Sequence, residues 1–317
     1  MAEPVKPSRK PKLSISEQVE YMKIWKGITF RTVTEKDAEE FLKHNNYFFR
    51  IKAYAKNYER YESGRYINLD FGYLKELSIL DMHFRKIILE MTINIEHYLK
   101  MQLLNHFEKN AAEDGYSIVE EFFLACPKVK DKLLQQQNSS GYSRDLLSKY
   151  GTNFALWNII EVLTFGDFEN LYKTYFRKYP SKDDMSKFLW SCRIMRNASA
   201  HNNCLLNTLK KAYGQDRFQI NRELNQFIAE HCPSITKDSR TKKLQNPVIH
   251  DFLIVVHLFA KIVTSPSIYE KTLSTLHGLT HRRCLRNRGY FKTNTDISSS
   301  YLFLRVVLDF YYKGAIT

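Results

Sequence analysis

FGYLKELSILDMHFRKIILEMTINIEHYLKMQLLNHFE occupies residues 71–108, and its reading decides the fold. Leu74, Leu77, Phe84, Ile87, Ile88, Met91, Ile95, Tyr98 and Met101 recur at steps of three and four, the period of one helix face. Such a run is long for a globular helix, so a kink or a break is expected around Leu80. Asp81, Arg85, Glu96 and Lys100 read as the polar face. Asp81 and Arg85 stand four apart, placed for a helical ion pair worth a few tenths of a kcal/mol.

Outward from this stretch the start signals are helical as well. Ser14 and Glu17 have the S-x-x-E spacing of a capping box ahead of VEYMKIW, which should stop near Gly27. Thr34 and Asp37 cap AEEFLKH, which should end near Asn45 and Asn46. On the far side, QQQNSSGYS predicts a loop near Gln135 to Ser143, and helices resume at Ala155. The Pro180–Asp184 segment launches a helix over about 182–201, and later helices cover Arg217–Ala229 and Pro247–Val263. No strand alternation is sustained and no repeat is present. The fold class is therefore all-α, a multi-helix bundle. Residues 1–12 read as a flexible basic arm, and residues 13–317 as a single domain with a helical extension from about 210.

Composition bounds the function. With 44% hydrophobic and 26% charged residues in 317, the chain can bury a conventional core. Its longest apolar stretch, Phe252 to Val263, is interrupted by His257 and Lys261 and falls short of the ~20 residues of a bilayer span. No apolar leader follows Met1, and the odd set Cys126, Cys192, Cys204, Cys232 and Cys284 contains no C-x-x-C pair. A cytoplasmic protein with reduced thiols and no membrane partner is expected. The net charge of +14 points to a polyanion, nucleic acid first. P-loop, dinucleotide-binding, zincin and α/β-hydrolase signatures are absent from the sequence, which removes support for those classes.

The helix launched at Ser181 carries the chemistry. Met185, Phe188, Leu189, Cys192, Met195 and Ser199 form a core stripe, while Trp190, Ile194, Asn197 and His201 form a second face. Arg196 and His201 are five apart, roughly 140° out of line on an unbroken helix. A helix end between them, or a two-fold axis bringing up a second chain, would close that angle. In a homodimer Trp190 and Ile194 would serve as apolar anchors; inside a monomer they would pack in the core. An arginine offers a permanently charged fork for phosphate, and an imidazole exchanges protons near neutrality. Together they suit cleavage of RNA by attack of its own 2′-hydroxyl, with neither metal nor cofactor.

The segment Arg196-Asn-Ala-Ser-Ala-His201, followed by Asn202, Leu205 and Asn207, resembles the RN-x-x-A-H motif of the abortive-infection (Abi) family that includes AbiD and AbiF proteins. Asn46-Tyr-Phe-Phe-Arg-Ile-Lys-Ala-Tyr54 is similar to that family's early aromatic-basic block. Leu80-Asp81 through Arg85 to Ile95-Glu96 resembles its long helix, and Leu163-Thr-Phe-Gly-Asp167 its small-residue turn. The blocks keep family order over residues 14 to about 207. The resemblance implies the HEPN superfamily, all-α domains whose R-x4-6-H motif often forms a metal-independent ribonuclease site, commonly at a dimer interface. It implies a role in phage defence and, for AbiF-like members, a partner noncoding RNA. Arg196 matches the phosphate-binding arginine, Asn197 the polar second position and His201 the catalytic histidine. Family members often carry an arginine shortly after the histidine, where this chain has Cys204.

Two further groups bear on RNA. Tyr47, Phe48, Phe49, Arg50, Lys52 and Tyr54 open a run, continued by Lys56, Tyr58, Arg60, Tyr61, Arg65 and Tyr66, that interleaves aromatic faces with cations. It reads equally as a base-stacking platform or as a core helix with a solvated basic face. Phe49 and Tyr54 look core-like, and Tyr58 to Tyr66 do not. Arg282, Arg283 and Arg286 form the densest cationic run and could track a phosphate backbone or be a solvated turn. His277, His281 and Cys284 have ligand spacing, but the neighbouring arginines would repel a cation, so no metal is assigned. Three readings remain: an endoribonuclease, a noncatalytic binder of a structured noncoding RNA, and a helical interaction protein whose charge is incidental.

Overall fold

The structure, a computed structural model, describes residues 11–136, 141, 143–151, 153–210 and 219–316. Most of the basic arm, part of the loop near Gln135 to Ser143, and the first two residues of the helix expected from Arg217 lie outside the described residues. Ser14 and Glu17 close their capping box at the start of α1 (Ile15–Glu20), and Thr34 accepts the Asp37 amide at 3.1 Å to start α2 (Glu35–His44). Next come α3 (Phe48–Tyr54) and the long α4 (Phe71–Glu108). Four short helices, α5 (Ser117–Ala125), α6 (Pro127–Gln136), α7 (Arg144–Tyr150) and α8 (Leu156–Ile159), lead to α9 (Phe165–Lys178) and α10 (Ser186–Ala200). The C-terminal part holds α11 (Arg222–His231), α12 (Lys237–Leu244) and α13 (Pro247–Ile262). It ends with α14 (Pro266–Gly278), α15 (Cys284–Arg286) and α16 (Thr295–Ile316). Among the described residues there is no strand, only the isolated bridges Thr29–Asp70 and Arg60–Tyr66. The fold is all-α.

α4 runs through Leu80 without the expected break. Its sides pack on α3, α10, α13 and α14, so tertiary burial holds a length that isolated propensity would not. Its start is fixed by Asp70, whose carboxylate accepts the Gly72 amide at 3.0 Å, Thr29 Oγ1 at 2.7 Å and the Arg31 amide at 2.7 Å, and also binds Thr32. Burial opposes ionisation there, yet these donors hold the Asp70 carboxyl below its ordinary value. Gly72 is required by the same contact, because a Cβ would collide with Thr32 Oγ1.

α4, α10 and α13 pack on one another at the centre of the molecule. The apolar stretch Phe252–Val263 therefore forms the C-terminal part of the largely buried α13 and its C-cap, and no helix among the described residues is long and apolar enough to cross a membrane. One apolar cluster extends from Val19 to Tyr311, drawing α13 and α16 into the same core as α4. α10 begins four residues later than the sequence suggested. The Asp184 side chain accepts the Ser186 amide at 2.8 Å and the Tyr172 hydroxyl accepts the Met185 amide at 3.1 Å, which keeps the residues after Ser181 in turns.

Candidate functional site

α10 ends on His201. The His201 amide reaches the Asn197 carbonyl at 2.9 Å, Asn202 takes a left-handed φ of 55°, and the Asn203 amide closes back on the Ala198 carbonyl at 2.8 Å. This is a helix stop in which asparagine does the work usually given to glycine. It leaves His201 exposed at the edge of a groove of about 970 Å³. The walls include Trp190, Ile194 and Ala198 of α10, Tyr47, Phe49, Arg50, Lys52 and Lys56 from α3 and its flanks, the residues following His201, and Pro247, Val248 and Asp251 at the start of α13. Phe49 is 79% exposed, Tyr47 59% and Trp190 49%. Apolar rings left in water beside cations are what a stacked base and its phosphate need.

The segment after His201 is clamped from below. Asp81 of α4, fully buried, accepts the Leu205 amide at 3.1 Å and the Leu206 amide at 3.0 Å. Its second oxygen accepts the Tyr54 hydroxyl at 2.7 Å and Arg85 Nη1, and Arg85 also reaches the Asn203 carbonyl at 3.3 Å. Burial pushes the Asp81 carboxyl up, while Arg85, Tyr54 and the Leu206 amide pull the other way. Asn57, also fully buried, donates to the Leu206 carbonyl at 2.8 Å and accepts the Leu209 amide at 2.7 Å. Two side chains far apart in sequence thus set the path of the chain that leaves the motif.

The profile of the family described as Abi-like protein matches residues 40–207, just over half of the chain. The chain belongs to the Abi-like protein family. Comparison with the curated proteins and with the solved structures found no match. In this Abi-like protein the matched span takes in α3, α4 and α10, and so the motif, Asp81, Asn57 and every groove residue except those at the start of α13.

The structure gathers some of the sequence-selected residues and separates others. His201, Tyr47, Arg50 and Lys52 share the groove, with Lys52 Nζ 5.4 Å from the Tyr21 ring centre. Arg50 leaves Nη2 buried without a hydrogen bond. Tyr54 is not available to a base: it is fully buried, and burial and Asp81 push its hydroxyl up, so it remains a donor. The core-like reading of Phe49 is reversed by its exposure, and Tyr58 and Tyr66 are buried at 7% and 4%. Asp81 and Arg85 are likewise not a surface pair, because their side chains are 0% and 7% exposed.

Arg196 and Asn197 do not line the groove. The groove face of α10 runs through Trp190, Ile194 and Ala198; Arg196 stands two residues past Ile194, roughly 200° around the helix. Arg196 is half-buried, donates from Nη1 to Asn197 Oδ1 at 3.2 Å, and keeps a buried Nε with no partner. Because the helix continues to Ala200, no helix end falls between Arg196 and His201. Arg282 and Arg286 are exposed away from the groove, and Arg283 is held by Glu76. His277 and His281 lie with Asp309 rather than with Cys284, and Arg305 Nε faces His281 Nε2 at 3.0 Å.

Sequence reading missed Trp190 as a groove wall and missed both clamp residues. Asp81 had a signal: it falls between Leu77 and Phe84 on the apolar stripe of α4, at core spacing. For Asn57 the sequence offers none.

Proposed function

We propose that this Abi-like protein is an RNA-binding phage-defence protein of the AbiD/AbiF and HEPN type, acting in the cytoplasm as a metal-independent endoribonuclease. The observation that supports this most is the exposure of His201 on a groove that also holds Arg50, Lys52, Lys56 and the open rings of Tyr47, Phe49 and Trp190. In this reading a nucleotide stacks on those rings, and its phosphate lies against the cations. His201 takes the proton of the 2′-hydroxyl, whose oxygen attacks the adjacent phosphorus; the bond to the 5′-oxygen breaks, that oxygen takes a proton from water, and His201 returns its proton to solvent. The products are a 2′,3′-cyclic phosphate and a 5′-hydroxyl.

Arg50 lines the same groove as His201, and in this reading it takes over the phosphate contact of the arginine that the motif lacks. Cys204, the residue found in its place, donates from Sγ to the Arg50 carbonyl at 4.0 Å. Arg196 completes the site from a second copy in a homodimer, since its own helix turns it away from His201. Arg282 and Arg286 add outlying phosphate contacts for a longer RNA.

The test is cleavage of a mixed RNA pool in chelator. Wild type should yield 2′,3′-cyclic ends, a strand with 2′-deoxyribose at the cut should resist, and His201→Ala and Arg196→Ala should each bind RNA but not cleave it. Full activity in His201→Ala, or loss of activity in chelator, removes the assignment. The position of Arg196 off the groove favours one second reading, a noncatalytic holder of a structured noncoding RNA. Recovery of intact RNA with the wild-type protein and no cleavage under any of these conditions would select it.

A further inference from the structure

A second cavity, of about 420 Å³, lies between α4, α14, α16 and the chain around Leu206 and Leu209. Its wall is mainly apolar and includes Leu80, Phe84, Leu276, Leu279, Leu304 and Leu308. Polar groups along it are already used. Thr280 Oγ1 donates to the Leu276 and His277 carbonyls at 3.3 and 3.1 Å, and the Tyr301 hydroxyl donates to the Thr280 carbonyl at 2.9 Å. Ser298 Oγ donates to the Phe291 carbonyl at 2.8 Å, and Ser300 Oγ accepts Lys243 Nζ at 2.9 Å. The body of a ligand would therefore meet hydrocarbon with no unspent partner. Arg288 and Lys292, by contrast, are exposed members of the same lining and form no ion pair among the described residues.

We propose that this cavity binds a free single-chain carboxylate, with roughly ten to twelve carbons of alkyl chain inside and the head group on Arg288 and Lys292. The volume lies within the range of small-molecule sites, the wall demands an apolar body, and the two cations supply the complementary charge. Leu206 and Leu209 give the site a consequence. They sit on the segment whose amides bind Asp81 and Asn57 and whose start is His201. A bound chain packs against that segment through Leu206 and Leu209 and restrains it.

The test is a calorimetric titration of the full-length protein with dodecanoate below its micellar concentration, with dodecanol as the uncharged comparison. Saturable binding at one site is expected, about tenfold weaker for dodecanol and for the Arg288→Glu/Lys292→Glu variant. Leu285→Trp, which fills the cavity from a half-buried position, should abolish it. Backbone amides from Leu205 to Leu209 should exchange more slowly with ligand bound. No saturable binding, or binding that ignores both variants, overturns the proposal. So does saturation without slower exchange at Leu205 to Leu209. Binding that emerges only in Tyr213→Ser/Phe218→Ser would assign the cavity to the chain's own residues 211–218, and binding lost as molecular mass doubles would assign it to a second copy. RNA cleavage is not part of the readout, so failure here leaves the nuclease reading untouched, and the reverse holds as well.

Discussion

Asp81→Asn probes the clamp under the motif. The substitution keeps shape but removes the charge that faces Arg85, whose side chain is only 7% exposed. It also replaces an oxygen that accepts the Tyr54 hydroxyl at 2.7 Å with either an amide donor or a neutral acceptor. The other oxygen, bound to the Leu205 and Leu206 amides, weakens as an acceptor. Breaking a buried ion pair by removing one partner costs about 3–5 kcal/mol, mostly from the charge left behind. The missing hydrogen bonds overlap with that figure, so the expected loss is about 4 kcal/mol, a large share of a folded domain's stability. Adding Arg85→Met removes the orphan charge and should restore about half of it. The measurements are the denaturant midpoint and amide exchange at Leu205 and Leu206, which should speed up more than elsewhere. A loss under about 1 kcal/mol with unchanged exchange at those two amides would falsify the clamp and return the pair to the screened, helical kind.

Tyr54→Phe should cost about 2 kcal/mol by deleting a hydrogen bond to a charged acceptor, yet leave RNA affinity as it was; a selective loss of affinity would put Tyr54 back among the RNA-binding residues. Arg50→Ala/Lys52→Ala should weaken RNA binding and reduce the salt slope by about one for each phosphate that the removed cations neutralise, with circular dichroism unchanged. An unchanged slope would show that neither side chain meets a phosphate. For pH, burial tends to raise the Glu223 carboxyl, but Lys187, Lys261 and His257 hold it at about 2. A carboxyl lower in the folded than in the unfolded chain contributes fully above pH about 4.5 and loses that contribution as pH falls toward about 2. Glu223→Gln should therefore flatten the acid limb of stability between those values, and an acid limb identical to wild type would contradict this.

Helix identity, the caps at Ser14 and Thr34, and the motif Arg196-Asn-Ala-Ser-Ala-His201 were legible in the sequence, because they depend on residues within a turn or two of one another. The apolar stripe of α4 even contained the position of Asp81, although an acidic residue there reads as surface until the Leu205 and Leu206 amides and the Tyr54 hydroxyl are brought onto it. What could not be read was which rings meet water. Phe49 and Tyr54 lie five residues apart on one short helix, one exposed at 79% and the other at 0%, and the difference is made by α4 and the post-motif segment closing over one side. Arg196 and His201 belong to one motif by sequence, but the helix runs on to Ala200 and turns them apart. Local backbone geometry fixes the angle between side chains on a helix; only packing against other helices decides which of those angles opens onto the groove.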